Sequence, residues 1–222
     1  MNAGLWHDVY VPSLRGDGDD EKHGEVLRVH LERLAGFGLP EGYKRAFEER
    51  ERLLRGLHGG VEGGVTRCFN ATTTGRMIVG LGAASVTETN VAMLRAWGVP
   101  YVPGSALKGL ASSAAHRGGG EAWQRADTGE EGGADAGALF GSTAWQGLVT
   151  FHDAWWEPEG ATLPLDLDVM TVHHADYYMS GKAAPADWDE PNPVTFVTAR
   201  GSYLVALSGP AEWVNVAREW LT

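Results

Sequence analysis

The stretch Gly98-Val99-Pro100-Tyr101-Val102-Pro103-Gly104-Ser105-Ala106-Leu107-Lys108-Gly109 reads as a stiff extended entry followed by a helix start. Pro100 and Pro103 fix their own φ and push the residues before them into extended conformations. Gly104 frees the backbone to turn, and Ser105 is a good helix cap. Leu107, Leu110, Ala111 and Ala114 then recur at helical spacing and predict one buried face. Lys108 is the odd residue. A capping serine is usually followed three residues later by Glu or Gln. A cation there opposes the helix dipole at a cost of a few tenths of a kcal/mol, roughly up to 1. Two readings follow. Either Lys108 points into water, or free N–H groups near Gly104–Leu107, the Ser105 hydroxyl and Lys108 form a phosphate site.

Outward from that stretch, Ala83–Trp97 before it reads as partly helical. Val65–Thr74 and Met77–Val79 read as strand, β-branched or apolar. Towards the N-terminus, residues 1–20 look loose. Helices are expected over Glu21–Ala35, with Leu27, Leu31 and Leu34 on one face, and over Glu41–His58, with Tyr43, Phe47, Leu54 and Leu57 inward. Towards the C-terminus, 118–137 is rich in Gly, Glu and Ala and reads as an exposed loop with Trp123 as its one piece of core. Gly147–Trp156 reads as a strand. Residues 162–193 read as a long irregular segment, the kind that is usually functional or disordered. Val194–Ala199 and Tyr203–Leu207 read as a hairpin turned at Arg200-Gly201-Ser202. Ala211–Leu221 reads as a last helix. The order predicts an α+β fold, ferredoxin-like, with helices on one face of an antiparallel sheet. Residues 1–63 are expected to form a helical N-terminal extension to a main domain over 64–222, with irregular insertions near 118–137 and 162–193.

Composition narrows the function. The chain has 222 residues and a formal net charge of −11. Eleven of its acids fall in three short patches, at Asp17–Glu21, Asp127–Asp135 and Asp187–Glu190. Setting these 11 aside leaves 18 acids against the 18 Lys and Arg. The remainder is neutral, so any nucleic-acid contact rests on a few placed groups and not on a generic basic surface. Cys68 is the single cysteine, which excludes an internal disulfide and a cysteine-based zinc site and suits a reducing, cytoplasmic setting. No stretch reaches the ~20 apolar residues of a membrane span, and Met1–Asp8 lacks the basic and apolar runs of a signal peptide.

The richest cluster is His173-His174-x-Asp176-Tyr177-Tyr178, with Asp166, Asp168 and Lys182 nearby. The tyrosines and histidines suit stacking on splayed bases. The two histidines suit acid and base of a metal-independent ribonuclease. His174 and Asp176, with Asp166 or Asp168, suit a metal, although the spacing matches no metal motif. Adjacent histidines point to opposite faces of a strand, which is awkward for joint action at one phosphorus. The bland alternative is one His and one Tyr in the core and the rest structural. Arg76, at the start of an apolar strand, either reaches a phosphate or ends the strand. Thr87 and Asn90 are either phosphate contacts or local caps.

The ordered set Arg76–Gly82, Ser85–Thr89, Gly98–Gly109, Phe140-Gly141-Ser142, Gly147–Ala154, Asp168–His174, Tyr177-Tyr178 and Pro191–Phe196 resembles the RAMP superfamily of CRISPR proteins. The resemblance runs over roughly 65–208. It is nearest to the sixth-subunit branch of the type III-B Cmr effectors. It implies a ferredoxin-like, RNA-recognition-type core. It also implies a non-catalytic RNA-binding and assembly subunit near the 3′ end of the guide CRISPR RNA. The partners implied are guide and target RNA and the neighbouring RAMP backbone and 3′-end subunits, with no membrane, metal or other cofactor. Carried over residue by residue, Gly104, Ser105 and Lys108 become the leading phosphate contacts. Arg76, His173, His174, Tyr177, Tyr178 and Lys182 are further RNA-binding candidates. Two alternatives stay open: a RAMP endoribonuclease acting through His173 and His174, and a protein-only scaffold. The resemblance also implies a second glycine-rich loop before a last strand, which the residues up to Thr222 do not show.

Overall fold

The computed structural model describes residues 1–12, 20–59, 63–87, 89–125, 132–158, 163–172, 177, 178, 181, 184, 186 and 192–222. The chain forms two compact units, each assembled from three segments. One takes Met1–Pro40, Thr73–Pro100 and Ala161–Arg200; the other takes Glu41–Thr72, Tyr101–Gly160 and Gly201–Thr222.

The first unit holds helices α1 (Ala3–Asp8) and α2 (Asp20–Ala35). Its strands are β2 (Met93–Leu94), β6 (Leu165–Val172) and β7 (Asn192–Ala199). Strands β6 and β7 pair antiparallel from Leu165↔Ala199 to Val172↔Asn192. Leu27, Leu31 and Leu34 of α2 close its core against Ala3, Val91, Leu165 and Val197. The N-terminus is thus more ordered than its sequence predicts. The Asn2 side-chain oxygen accepts from Leu5 N at 3.0 Å, and its amide donates to the carbonyls of Arg95 and Ala96 at 3.2 and 3.1 Å. His7 is buried and bonded through Nδ1 to Asp8 (2.7 Å) and through Nε2 to the Thr87 hydroxyl (3.0 Å). The described residues of 83–97 form turns and β2, not helix. Their hydroxyls compete with the backbone: Thr87 N donates to Ser85 Oγ at 3.2 Å, and Thr87 Oγ1 donates to Thr89 O at 2.8 Å.

The second unit holds α3 (Tyr43–Gly56), β1 (Gly64–Thr72), α4 (Gly104–Gly118) and a 3-10 turn at Glu121–Trp123. It continues with α5 (Ala134–Phe140), β4 (Thr150–Phe151), β5 (Ala154–Trp156), β8 (Ser202–Pro210) and α6 (Ala211–Glu219). Strand β3 (Val99–Val102) begins by pairing with β2 and ends by pairing with β5. Within this unit the strand order is β1-β8-β5-β3, with β4 also on β8, and each of these pairings is antiparallel. The mixed helix and antiparallel-sheet class read from the sequence is the one found, and it is consistent with a ferredoxin-like RAMP core. Ala111 and Ala115 of α4, Leu139 and Phe140 of α5, Leu207 of β8, and Val214 and Ala217 of α6 form the core of this unit.

Two further expectations are corrected. Strands β7 and β8 are not a hairpin: β7 pairs with β6, whereas β8 pairs with β1 over nine residues and with β5. The burial of β8 explains this. Tyr203–Leu207 are 0–2% exposed, and both edges of the strand are already taken, by β1 on one and by β4 and β5 on the other. The segment from 162 is not irregular throughout either, because Leu165–Val172 is strand. Leu165 and Leu167 face the core formed with α2, and Asp166 and Asp168 alternate with them.

Candidate nucleic-acid interface

The start of α4 differs from its sequence reading in one important respect. The helix begins at Gly104, and Pro103, in extended conformation, takes the cap position. Ser105 is inside the first turn and does not cap it. The Pro103 carbonyl accepts from Ala106 N (2.9 Å) and Leu107 N (3.1 Å), and Gly104 N donates to the Asp153 carboxylate at 2.8 Å. The first N–H groups are therefore largely satisfied from within, with an internal carboxylate where a phosphate was expected. A carboxylate at a helix start is favourable through the same dipole that would draw an external anion. Asp153 is held in turn: its backbone carbonyl accepts from Arg50 at 2.9 Å, and the Arg50 guanidinium lies 4.6 Å from the Trp155 ring centre. Burial lowers the Arg50 pKa. Next to it His152 is pushed below its ordinary 6.5, first by burial and then by Arg50. His152 Nε2 is 2.7 Å from Ser208 Oγ.

The outward side of α4 carries what remains available. Leu107, Ala111 and Ala115 point inward, whereas Ser105, Lys108 and Leu110 are exposed, Leu110 at 55%. The expected buried face is thus rotated by one position. Lys108 has no carboxylate partner among the described residues. Ser112, four residues on, shares its side of the helix. Arg125 is fixed on that side: Nε donates to Ser112 Oγ at 3.0 Å, Nη2 donates to Gly109 O at 3.1 Å, and its backbone N donates to His116 Nδ1 at 3.2 Å. The guanidinium's two acceptors, a hydroxyl and a backbone carbonyl, carry no charge, so the Arg125 charge is held in place and not neutralised among the described residues. This is the geometry that suits a phosphate.

Arg125 was not a candidate from sequence. The signal that finds it is Trp123, two residues earlier. Its ring meets those of Phe140 (6.4 Å), Trp213 (6.5 Å) and Trp220 (5.5 Å) edge-on. Packing that partly buried indole among the three rings brings the chain back to α4, where Arg125 is held.

The other candidates are dispersed. Arg76 is ion-paired with Asp168 at 3.3 Å and Asp166 at 3.6 Å, and Arg200 reaches Asp166 at 3.4 Å. The charge of Arg76 is therefore matched by two aspartates of β6. Tyr177 and Tyr178 are 44% and 74% exposed, with rings edge-on at 5.4 Å. They belong to the first unit, and Gly104, Ser105 and Lys108 to the second. Thr87 is 1% exposed and serves the His7 network, so it is not a contact surface. His173, His174 and Lys182 lie outside the described residues. Among the described residues no group of three or more His, Cys, Asp or Glu is placed to hold a metal. No described helix is long and apolar enough to cross a membrane.

The CRISPR system Cmr subunit Cmr6 of Pyrococcus furiosus is 29% identical to this chain, over 76% of this chain and 63% of the relative. The chain thus spans about 63% of the length of that relative. A chain in the cryo-EM structure of the type III-B Cmr-beta bound to cognate target RNA superimposes with a TM-score of 0.65 at 22% identity, over 88% of this chain and 63% of that one. At that identity the likeness is one of fold. The crystal structure of Cmr6 from Pyrococcus furiosus aligns at 27% identity with a TM-score of 0.41, over 71% of this chain and 89% of that chain. The model of the RAMP superfamily matches residues 70–215, which takes in β3, α4, β5 and β8. With that match across most of its length, the chain belongs to the RAMP superfamily.

Proposed function

We propose that this chain is a cytoplasmic, non-catalytic RNA-binding and assembly subunit of a type III-B Cmr effector. In this reading it sits near the 3′ end of the guide RNA, against neighbouring RAMP subunits, and serves defence against foreign nucleic acid. The relative named as a Cmr subunit and the fold shared with a chain of an RNA-bound Cmr complex support the assembly. The observation that carries the RNA contact is the outward side of α4. There Lys108 and Arg125 stand without a carboxylate partner among the described residues, in a chain whose formal net charge is −11. Two cations without a carboxylate partner among the described residues, on one helix side of an acidic protein, support a contact with an external anion. Their neutral neighbours, Ser105 and Ser112, add hydroxyl donors of the kind that position a sugar–phosphate backbone.

The test has two parts. Purification of the chain from its native cells, with RNA extraction and mass spectrometry, is expected to recover other RAMP subunits and a defined small RNA. Recovery of the subunits without RNA would leave a protein-only scaffold. Titration of the chain with RNA across a salt series is expected to show Lys108→Ala weakening binding to all sequences alike and lowering the log–log salt slope by about one. Unchanged affinity and slope in that variant would refute the α4 contact.

A further inference from the structure

Beside the cations of α4 lies a cavity of about 750 Å³, bordered by Ser112 and Arg125 on one side and by α5 and the turn after it on the other. Its aromatic margin is Trp145, 62% exposed. We propose that this groove holds one unstacked nucleobase of a single-stranded RNA, with Trp145 as the stacking surface and Arg125 at the adjoining phosphate. The proposal rests on the RNA-binding reading above and adds to it a base site in a defined place.

Three features of the groove support that occupant. The first is how Trp145 is displayed. An exposed indole on a loose loop folds back onto the protein, but this one stands on a closed turn. Gly141 and Gln146 form an antiparallel bridge, Ser142 N donates to Trp145 O at 2.9 Å, and Ala144 N donates to Ser142 Oγ at 3.1 Å. Gly141 closes the turn at φ +75°, and a Cβ there would lie 2.7 Å from Trp145 O. The backbone that carries the ring is therefore fixed, which leaves less conformational freedom to lose on binding.

The second is charge. Arg125 is the only charged residue among those described as lining the groove. The rest are glycine, alanine, hydroxyl residues, Gln124 and the two aromatics Phe140 and Trp145. In a protein with a formal net charge of −11, a wall with one cation and no anion among the described residues is complementary to a neutral ring carried on an anionic backbone.

The third is position. Arg125 belongs to both features: it borders the groove, and its guanidinium is fixed by Ser112 Oγ and Gly109 O on the side of α4 that carries Lys108. A strand whose phosphates follow Lys108 and Arg125 has its base edge beside the cavity. Stacking on an aromatic ring tolerates any sequence, because every base has a π-face, so the site anchors RNA without reading it.

The experiment is a fluorescence-anisotropy titration of the full chain with a short oligouridine, over a salt series, for wild type, Trp145→Ala, Trp145→Phe and Arg125→Ala. It is paired with photocrosslinking of the wild type to 4-thiouridine RNA. Trp145→Ala is expected to weaken binding about tenfold at every salt concentration with the slope unchanged, and Trp145→Phe to recover most of that loss. Arg125→Ala is expected to lower the slope by about one, and the crosslinked peptide to contain Trp145. If wild type binds and Trp145→Ala binds equally well, the base site is refuted while the α4 contact stands. The base site is refuted equally if Trp145→Ala keeps RNA but no longer recovers protein partners, which would make the groove a protein contact. If wild type binds no RNA at all, the functional reading fails and the base site with it.

Discussion

Helix α4 carries two glycines within its first six residues, and the structure gives them opposite roles. A Cβ on Gly104 would overlap the Phe151 carbonyl oxygen and lie 2.9 Å from its carbon and 3.2 Å from the His152 carbonyl carbon, where ordinary contact begins at 3.4 Å. All three neighbours are backbone, so no rotamer change relieves the clash. The helix start or the 151–152 segment must move by about half an ångström for the carbon alone, and further for the oxygen. That movement strains two bonds at once: Gly104 N to the Asp153 carboxylate at 2.8 Å, and His152 N to Ala206 O at 3.1 Å. Overpacking of this kind costs about 3 kcal/mol. Alanine returns at most about 1 kcal/mol of helix propensity, so Gly104→Ala is expected to lose about 2 kcal/mol net. Gly109 has nothing within 4 Å of its would-be Cβ and is exposed in the helix interior. Gly109→Ala is therefore expected to gain between about 0.5 and 1 kcal/mol. Urea denaturation of the two variants beside wild type measures the difference. At about 2–4 °C per kcal/mol for a chain of this size, their melting temperatures should separate by roughly 5–12 °C. Equal stability of the two variants would refute the close approach of α4 to the 151–152 backbone.

His30 is 3% exposed, stacked on Trp6 at 5.0 Å, and neither ring nitrogen has a hydrogen-bond partner among the described residues; His30→Phe is expected to raise stability by about 1 kcal/mol, and a loss in denaturant midpoint would count against it. Burial lowers the pKa of His30 from 6.5, so the unfolded chain binds a proton that the folded chain resists; stability is expected to fall as pH drops below 6.5, and His30→Phe to flatten that fall, leaving the part due to His152, which shifts in the same direction. Asp153→Ala removes the carboxylate from the first N–H of α4 and is expected to cost about 1 kcal/mol, with Asp153→Asn costing less because its amide oxygen can still accept; equal melting curves for wild type and Asp153→Ala would remove the cap from the account.

The elements that were legible are those whose own periodicity matches their burial. In α2 and α3 the residues named as inward, Leu27, Leu31, Leu34, Tyr43, Phe47 and Leu54, are buried, whereas Leu57 lies beyond the end of α3 and is 46% exposed. The start of α4 is legible to within one residue, but its chemistry is not, because the anion that meets it, Asp153, is 49 residues away in sequence. Strand β6 escapes the sequence reading although Leu165-Asp166-Leu167-Asp168 alternates with period two. Its aspartates look like site chemistry, whereas they mark the side of a strand that Arg76 and Arg200 neutralise. The hairpin over 194–207 fails for a related reason. Turn residues at 200–202 report that the chain bends there, but not that β7 and β8 then join different sheets.

The candidate interface follows the same logic, and it shows why local chemistry alone does not find it. Lys108 is conspicuous because a cation at a helix start is locally unfavourable. Arg125 breaks no local rule, in a stretch that reads as loop. Its place is set by Trp123, whose ring packs among Phe140, Trp213 and Trp220. The same packing that buries an indole thus sets a guanidinium on α4, where Ser112 and Gly109 hold it without neutralising it. The long α2 and α3 helices show the contrast: Arg28, Arg52 and Arg55 each lie beside a glutamate three or four residues away and are matched within their own helix. Pairing within a helix is dictated locally and leaves nothing over for a ligand. A cation delivered to a helix from outside it meets whatever that surface carries, and on α4 it meets a serine hydroxyl, a glycine carbonyl and no carboxylate among the described residues. The cation of α4 that local reading misses, Arg125, is thus the one whose placement depends on the tertiary fold.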